Sequence, residues 1–332
     1  MLTWSIREIE LPLKFVWKIA RGSVTTKTNY IVEVFGGDMS AAGEVSICTR
    51  FGETPEQIHE GFSKFTSSLP GQVRSVEELI DFLNDLELPG SLRFGIESAF
   101  VSYLAQLSEK PVEELLGQKS VNVLETSISL PIMPIGDIKK FIDDYDLTRF
   151  KTMKVKVGRD SDPDFIKEVL KHFFGKICID ANESFNNPDE VLQFLERQDL
   201  EKILFLEQPM HADLHDDYLY LKENSPVYLI ADESITTQNV TEYYVRRFHG
   251  INIKMMKSGG YLKAISQLRK ARELGLKTML GCMLETSLGI SSAFNLAYKV
   301  DFIDLDSHLF LKNEPFNLLT EENGRLFRNH LQ

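Results

Sequence analysis

The chain of 332 residues is long enough for a domain of about 250 residues together with a smaller partner domain. Its composition, with 43% hydrophobic and 26% charged residues, is that of a folded globular protein and not of a disordered one. A formal net charge of −12 at pH 7 argues against a nucleic-acid partner, because a phosphate backbone is bound by basic surfaces.

The cysteines and the apolar runs restrict where the protein is expected to work. Cys48, Cys178 and Cys282 are odd in number and far apart, so they indicate neither a disulfide framework nor a cysteine zinc site. No apolar run approaches the ~20 residues of a membrane span, and the first residues lack the apolar centre of a signal peptide. We therefore expect a cytoplasmic protein with no membrane partner; a homo-oligomer stays open.

Residues 1–118 are predicted to form an α+β capping domain. Residues 2–11 and 29–35 have the pattern of strands, and residues 54–118 carry apolar side chains at helical spacing, with prolines as breaks. Two segments of this domain are predicted to be loops that cover the mouth of the next domain and determine its substrate preference: residues 15–28 and 46–54.

From residue 119 to residue 310, short strand-like runs alternate with amphipathic helical segments. Such βα units build a parallel sheet, and eight of them favour closure into a barrel. A doubly wound open sheet is disfavoured, because no G-x-G-x-x-G follows the first strand. The predicted fold is α/β, a modified TIM barrel of the (β/α)7β type, and residues 311–332 are predicted to pack back on the cap. The eight runs are residues 125–130, 151–157, 176–180, 203–207, 227–232, 251–256, 278–283 and 302–306.

Three carboxylates follow consecutive runs of the predicted barrel. Asp180, Glu207 and Asp232 end the third, fourth and fifth runs, so they lie at the carboxyl ends of neighbouring strands, where barrel enzymes carry their chemistry. Three converging carboxylates repel one another unless a cation neutralises them. Because every ligand is oxygen and no Cys or His accompanies them, the pattern predicts Mg²⁺, with Mn²⁺ as an alternative.

Lysines are predicted on two opposed strands of the barrel. Lys154 and Lys156 lie two apart on the second strand and share its inward face, and Lys254 lies on the sixth. The second and sixth of eight strands face each other across the barrel. A base on one side of a carbon and an acid on the other can invert that centre, while a metal neutralises the enediolate formed on deprotonation. Lys257, in a Lys-Ser-Gly-Gly turn, is predicted to lie at the rim in a supporting role.

Together these residues resemble the enolase superfamily, in its muconate-lactonising subgroup, over essentially the whole chain. The resemblance implies Mg²⁺ on the three carboxylates and Lys156 and Lys254 as the catalytic pair. Lys154 would support Lys156 or contact the substrate carboxylate, and Asn182 and Glu233 would have supporting roles. The matching motifs are Lys154-Val-Lys156, Asp180-Ala-Asn182, Leu206-Glu207-Gln208-Pro209, Ala231-Asp232-Glu233-Ser234, Ile253-Lys254 and Ser258-Gly259-Gly260, with Gly43-Glu44 in the cap.

Asp304 and Asp306 on the eighth strand distinguish the members of this subgroup. Two carboxylates two residues apart share a face and suit a substrate ammonium group, which muconate and succinyl amides lack. They look like the Asp-x-Asp of dipeptide epimerases, which holds the α-ammonium of a dipeptide. The resemblance therefore implies an isomerase: a Mg²⁺-dependent dipeptide epimerase that inverts the α-carbon of the C-terminal residue by 1,1-proton transfer through an enediolate.

Other activities stay open on the same scaffold. An o-succinylbenzoate synthase or an N-succinylamino acid racemase is the nearest alternative, although the Met-Met-Lys after Lys254 is closer to the epimerases. A binding protein on an inactive barrel is disfavoured, because all three carboxylates and both lysines are retained. In the cap, Arg21 is the predicted substrate-binding residue for an acidic side chain. The cap also offers cations and apolar side chains that leave the preferred dipeptide undecided: Lys18, Lys27, Phe15, Trp17 and Ile19.

Overall fold

The cap is built on a three-stranded antiparallel sheet with the order β1-β2-β3. In the computed structural model, which describes residues 2–71 and 73–329, the helix α3 (Gly90–Leu107) packs closely on the strand β3 (Met39–Val45). A Cβ atom at Gly43 would lie 2.1 Å from the carbonyl oxygen of Gly95, so the two elements meet where neither has a side chain. The elements of the cap are β1 (Thr3–Ile19), β2 (Gly22–Gly36), β3 (Met39–Val45), α1 (Pro55–Ser68), α2 (Val76–Asn84), α3 (Gly90–Leu107) and α4 (Val112–Leu115).

The predicted loop at residues 15–28 is instead the far end of a β-hairpin. β1 continues to Ile19 and β2 begins at Gly22, whose φ of 149° favours glycine at the turn. The strand persists because its alternate side chains are half-buried against the barrel: Trp17 stacks on Phe310 with ring centroids 4.9 Å apart. The hairpin tip is therefore held by packing as well as by its turn.

The predicted barrel is confirmed, with eight parallel strands in sequence order. The first and last strands are joined by a hydrogen bond from the backbone N–H of Ser127 to the carbonyl oxygen of Ile303 (3.0 Å) and by one from Leu305 N–H to the Thr126 hydroxyl (2.9 Å). After a short strand, β4 (Val123–Glu125), the barrel strands are β5 (Ile128–Leu130), β6 (Thr152–Lys156), β7 (Lys176–Asp180), β8 (Ile203–Glu207), β9 (Tyr228–Ala231), β10 (Gly250–Lys254), β11 (Lys277–Gly281) and β12 (Phe302–Asp304).

Helices cover the outside of the barrel, and the main hydrophobic core lies between them and the strands. The α7 helix starts as its sequence predicts: the Asn187 side chain accepts the N–H of Glu190, and Pro188 occupies the first turn. The barrel helices are α5 (Ile138–Asp144), α6 (Phe165–His172), α7 (Pro188–Glu196), α8 (His215–Asn224), α9 (Glu242–Val245), α10 (Met255–Ser258), α11 (Tyr261–Glu273) and α12 (Ser287–Phe294). Short 3-10 helices lie at Thr49–Phe51, Ile135–Asp137, Leu147–Arg149, Leu200–Lys202 and Ser307–Phe310.

The segment after the barrel forms a second small sheet. Its strands β13 (Leu319–Glu322) and β14 (Arg325–Arg328) make an antiparallel hairpin, and β14 pairs with β4. Lys312 N–H donates to the carbonyl oxygen of Pro12 on β1 (2.9 Å), so this segment contacts the cap at one point; residues 330–332 lie outside the described residues. Within the described part of the chain, no helix combines the length and the apolar character needed to cross a membrane.

Candidate active site

The three predicted carboxylates meet at the carboxyl ends of adjacent barrel strands. Asp180 and Glu207 are the last residues of β7 and β8 and lie opposite each other in the parallel ladder, and Asp232 directly follows β9. All three are buried, and one oxygen from each lies within 4.8 Å of the others. Burial and the nearby carboxylate of Asp180 raise the pKa of Glu207 to about 7. The three carboxylates thus lie close enough together to disfavour full ionisation of Glu207.

This carboxylate triad fits a hard divalent cation. Its donors are all oxygen, and Asn252 orients one of them by donating from Nδ2 to Glu207 Oε1 (2.8 Å). The other oxygen, Glu207 Oε2, accepts no well-aligned hydrogen bond, although Nζ of Lys154 lies 2.8 Å away. Three carboxylates with a free oxygen suit Mg²⁺, so the donor set agrees with the ion that the sequence predicts.

Lys156 and Lys254 approach the triad from opposite strands. Lys156 Nζ lies 2.6 Å from Asp180 Oδ2, and Lys254 Nζ lies 2.8 Å from Asp232 Oδ2. Their strands, β6 and β10, are separated by three strands in the order of the barrel and so face each other across it. Burial disfavours charge on Lys254, but the Asp232 carboxylate outweighs it and raises the pKa of this lysine. A substrate between the two amines would meet one on each side.

Lys257 does not lie at the rim, so that part of its prediction is wrong. It is buried, and its Nζ is 2.5 Å from both Oδ1 and the carbonyl oxygen of Asp232. The reason is local: β10 ends at Lys254 and passes directly into the single-turn α10, which returns Lys257 over the strand end. A fourth ammonium, besides those of Lys154, Lys156 and Lys254, therefore contacts the triad, which sequence spacing alone did not indicate.

The two aspartates of the last strand have different partners. Asp304 Oδ1 accepts from the Ser127 hydroxyl (2.7 Å) and its Oδ2 from Lys154 Nζ (2.8 Å). Asp306 Oδ2 accepts from the backbone N–H of Ser129 (2.6 Å). Burial and the charge of Asp304 raise the pKa of Asp306 to about 7. Both line the same cavity, but Asp304 is already bound on both oxygens.

Arg21 extends from the hairpin tip into the barrel mouth. Its Nη1 donates to Glu233 Oε1 (2.6 Å) and to the carbonyl oxygen of Asn182 (3.1 Å). Asn182 also donates from its amide to Glu233 Oε1 (3.3 Å). The three residues therefore form one cluster that joins the cap to the loops after β7 and β9.

Sequence reasoning missed two residues of this region. Arg50 makes a bidentate ion pair with Glu183, with Nε 2.6 Å from Oε2 and Nη2 2.8 Å from Oε1. No pattern in the sequence joins residues so far apart in different domains. Asn252, in contrast, lies two residues before Lys254 on the same strand, so the alternation of side chains could have placed it inside the barrel.

A cavity of about 480 Å³ lies between the hairpin, the 46–54 segment and the barrel mouth. Trp17, Ile19 and Phe310 give it an apolar wall, and Lys27 adds a cation whose pKa burial lowers. Lys27 Nζ donates to the Ile47 carbonyl oxygen (3.0 Å). Of the other cap candidates, Lys18 is exposed, and Phe15 packs on Phe141 and Tyr145 instead of lining the cavity.

The fold and the carboxylate triad place the protein in a known family. A family model described as "Enolase C-terminal domain-like" matches residues 137–321, which is more than half of the chain. The chain therefore belongs to the enolase superfamily, as its motifs indicated.

Within that superfamily, the chain is similar to dipeptide epimerases along nearly its whole length. The L-Ala-D/L-Glu epimerase of Bacteroides thetaiotaomicron is 28% identical over 97% of this chain and 84% of its own. The L-Ala-D/L-amino acid epimerase of Pedosphaera parvula is 31% identical over 96% and 93%. A substrate-liganded structure of the L-Ala-D/L-Glu epimerase from Bacillus subtilis superposes with a TM-score of 0.90 at 26% identity, covering 98% of this chain and 96% of that one. These comparisons confirm the predicted resemblance.

Proposed function

We propose that this protein is a Mg²⁺-dependent dipeptide epimerase, an isomerase that inverts the α-carbon of the C-terminal residue. The observation that carries the proposal is the pair of buried lysines, Lys156 and Lys254, on opposed strands beside a triad of carboxylates. Relatives named as dipeptide epimerases support the substrate class. The dipeptide is the only partner proposed, and the cytoplasm is the proposed location.

The two lysines would carry out a 1,1-proton transfer. One of them, in its neutral form, takes the α-proton, and the electron pair of the C–H bond delocalises into the carboxylate as an enediolate. The other, as an ammonium, returns a proton to the opposite face of the carbon. The reverse epimerisation exchanges their roles. When bound by Asp180, Glu207 and Asp232, Mg²⁺ would supply positive charge for the negative charge that develops on the substrate carboxylate.

Groups around the lysines would hold the dipeptide in place. Asp304 and Asp306, at the end of the last strand, are proposed to bind its α-ammonium. Asp306 is the better placed of the two, because within the described residues it forms no ion pair, whereas Asp304 is paired with Lys154. Arg21 is proposed to face the substrate side chain from the hairpin, while Asn182 and Glu233 position Arg21. Lys154 would support Lys156 or contact the substrate carboxylate, and Lys257 would hold Asp232.

Isotope exchange tests the proposal directly. The protein with Mg²⁺ is incubated in D₂O with L-Ala-L-Glu and with a panel of apolar and cationic dipeptides. Mass spectrometry is then combined with chiral analysis of the hydrolysed products. We expect one deuterium at the α-carbon of the C-terminal residue, together with inversion. Absence of exchange across the whole panel, with N-succinyl amino acids exchanging instead, would overturn the dipeptide assignment.

A further inference from the structure

We infer that Asp304 is a positioning residue for the metal site. It gives the ammonium of Lys154, which also contacts two carboxylates of the triad, an anionic partner outside the triad, and so allows a divalent cation to bind there. This inference rests on the proposed binding of Mg²⁺ by Asp180, Glu207 and Asp232. It gives Asp304 a role that is independent of any substrate.

Lys154 is the group that makes such a partner necessary. It is 1% exposed and lies among three carboxylates: Nζ is 2.8 Å from Glu207 Oε2, 2.8 Å from Asp304 Oδ2 and 3.1 Å from Asp180 Oδ2. Asp180 and Glu207 belong to the triad, and Asp304 does not. Lys154 thus bridges the ligand oxygens of the proposed cation and one carboxylate outside their set.

A bound divalent cation changes the electrostatic environment of the Lys154 ammonium. The cation would sit on the same two carboxylates that face Lys154, and buried like charges repel strongly because little water screens them. Since Lys154 is almost wholly buried, its ammonium must keep an anionic partner elsewhere. Asp304 provides that partner, and the Ser127 hydroxyl fixes its other oxygen at 2.7 Å so that the carboxylate stays turned toward Lys154.

Asp306 is a matched control within the same motif. It is as buried as Asp304, and it lines the same cavity. Its bonded oxygen faces the backbone N–H of Ser129, and across residues 2–71 and 73–329 it takes part in no ion pair. Asp306→Asn therefore makes the same chemical change in the same motif but leaves Lys154 with its partner.

Titration calorimetry of the EDTA-treated, dialysed protein with MgCl₂, without substrate, tests the inference. We expect Asp304→Asn to weaken Mg²⁺ binding about 10- to 100-fold, as is usual for groups that support metal ligands. Asp306→Asn should leave the Mg²⁺ affinity of the wild type unchanged within error. Circular dichroism melts of each variant confirm that the protein tested is folded.

A double-mutant cycle with Lys154→Met separates this role from a general loss of charge. In the Lys154→Met background, Asp304→Asn should no longer weaken Mg²⁺ binding, because no ammonium remains to be held. An equal loss of affinity in both backgrounds would overturn the inference, as would tight Mg²⁺ binding by Asp304→Asn itself. If the wild type binds no Mg²⁺, the proposed metal site fails and the inference fails with it.

Discussion

The centre of the barrel mouth and its rim are assembled in different ways. At the centre, strand register sets the contacts: Lys156 lies opposite Asp180, and Asp180 opposite Glu207, in the parallel ladders. These side chains are buried and come from neighbouring strands of one domain. Their geometry therefore follows from the barrel itself, and any member of this fold with these residues at these positions would place them alike.

The rim depends on contacts between the cap and the barrel. Arg21 and Arg50, each about one-third exposed, cross from the cap to Glu233 and Glu183 on barrel loops. Such partly exposed ion pairs contribute less to the free energy of folding than buried ones do. Their partners lie on loops, which can change in sequence without disturbing the strands. The comparison suggests that the chemistry is fixed at the centre while substrate preference is free to vary at the rim.

The largest effect is expected at the centre. Replacing Lys156 or Lys254 by Ala removes one of the two proton-transfer groups and should lower kcat for epimerisation by about 10²- to 10⁴-fold. Circular dichroism melts beside a control, Lys139→Ala, whose lysine is exposed on α5, establish that each variant is folded at the assay temperature. Each single variant should retain α-deuterium exchange with one substrate enantiomer only. Equal epimerisation by either variant and the wild type would place the chemistry elsewhere.

An intermediate effect is expected at a buried contact between the cap and the barrel. Glu44, on β3 of the cap, accepts hydrogen bonds from Thr286 and Gly289 on the barrel, and the side chain of Glu285 converges on the same glycine. Burial, with the charge of Glu44, raises the pKa of Glu285 to about 8. The unfolded chain releases this proton near pH 4 to 5, so the contribution of Glu285 to stability is complete below that range and falls as pH rises toward 8.

Chemical denaturation between pH 5 and pH 9 measures the contribution of Glu285 to the free energy of unfolding. The stability of the wild type should fall with pH by up to about 1.4 kcal/mol per unit for the one proton involved. Glu285→Gln should flatten the curve below pH 8 because its amide does not titrate. Glu44→Gln removes the charge that helps to raise the pKa of Glu285, so the decline should end at a lower pH and be smaller than in the wild type. A slope identical in wild type and Glu285→Gln would assign the pH dependence to other groups.

The smallest effect is expected at the rim. Arg50→Ala breaks the ion pair with Glu183, which costs about 0.2–1 kcal/mol in a partly exposed pair and should raise KM by about 1.4- to 5-fold. The value of kcat should stay unchanged, because Arg50 contacts no group of the triad. Steady-state kinetics with the preferred dipeptide separate the two constants. Arg7→Ala, which breaks an exposed pair on the cap sheet, is the control. A loss in kcat larger than that in KM would mean that the rim acts on the chemistry.

The sequence was most informative where structure repeats. The regular βα period located all eight strands, and because each strand ends at the same face of the barrel, Asp180, Glu207 and Asp232 could be placed together before any coordinates. Alternation of side chains then turned Lys154 and Lys156 inward. Both arguments need only local sequence and a closed barrel, and both agree with the structure.

Contacts between distant segments were beyond this reasoning. Lys257 was predicted at the rim because its turn motif looks exposed, and only the immediate start of α10 places it on Asp232. The segment at residues 15–28 has glycine and polar residues typical of loops, and packing of Trp17 on Phe310 extends it as a hairpin. The Arg50–Glu183 pair depends on how two domains dock, which no local pattern encodes.

The seam that closes the barrel has a consequence for the order of biosynthesis. The last strand supplies Ile303 for the closing hydrogen bond and Asp304 for Lys154, and both come after most of the chain has left the ribosome. Until then Lys154 on the second strand lacks Asp304, the one of its three carboxylate partners that lies outside the triad. A nascent or truncated chain that ends before residue 302 therefore lacks both the seam and this charge balance, so an active centre can arise only once translation is nearly complete.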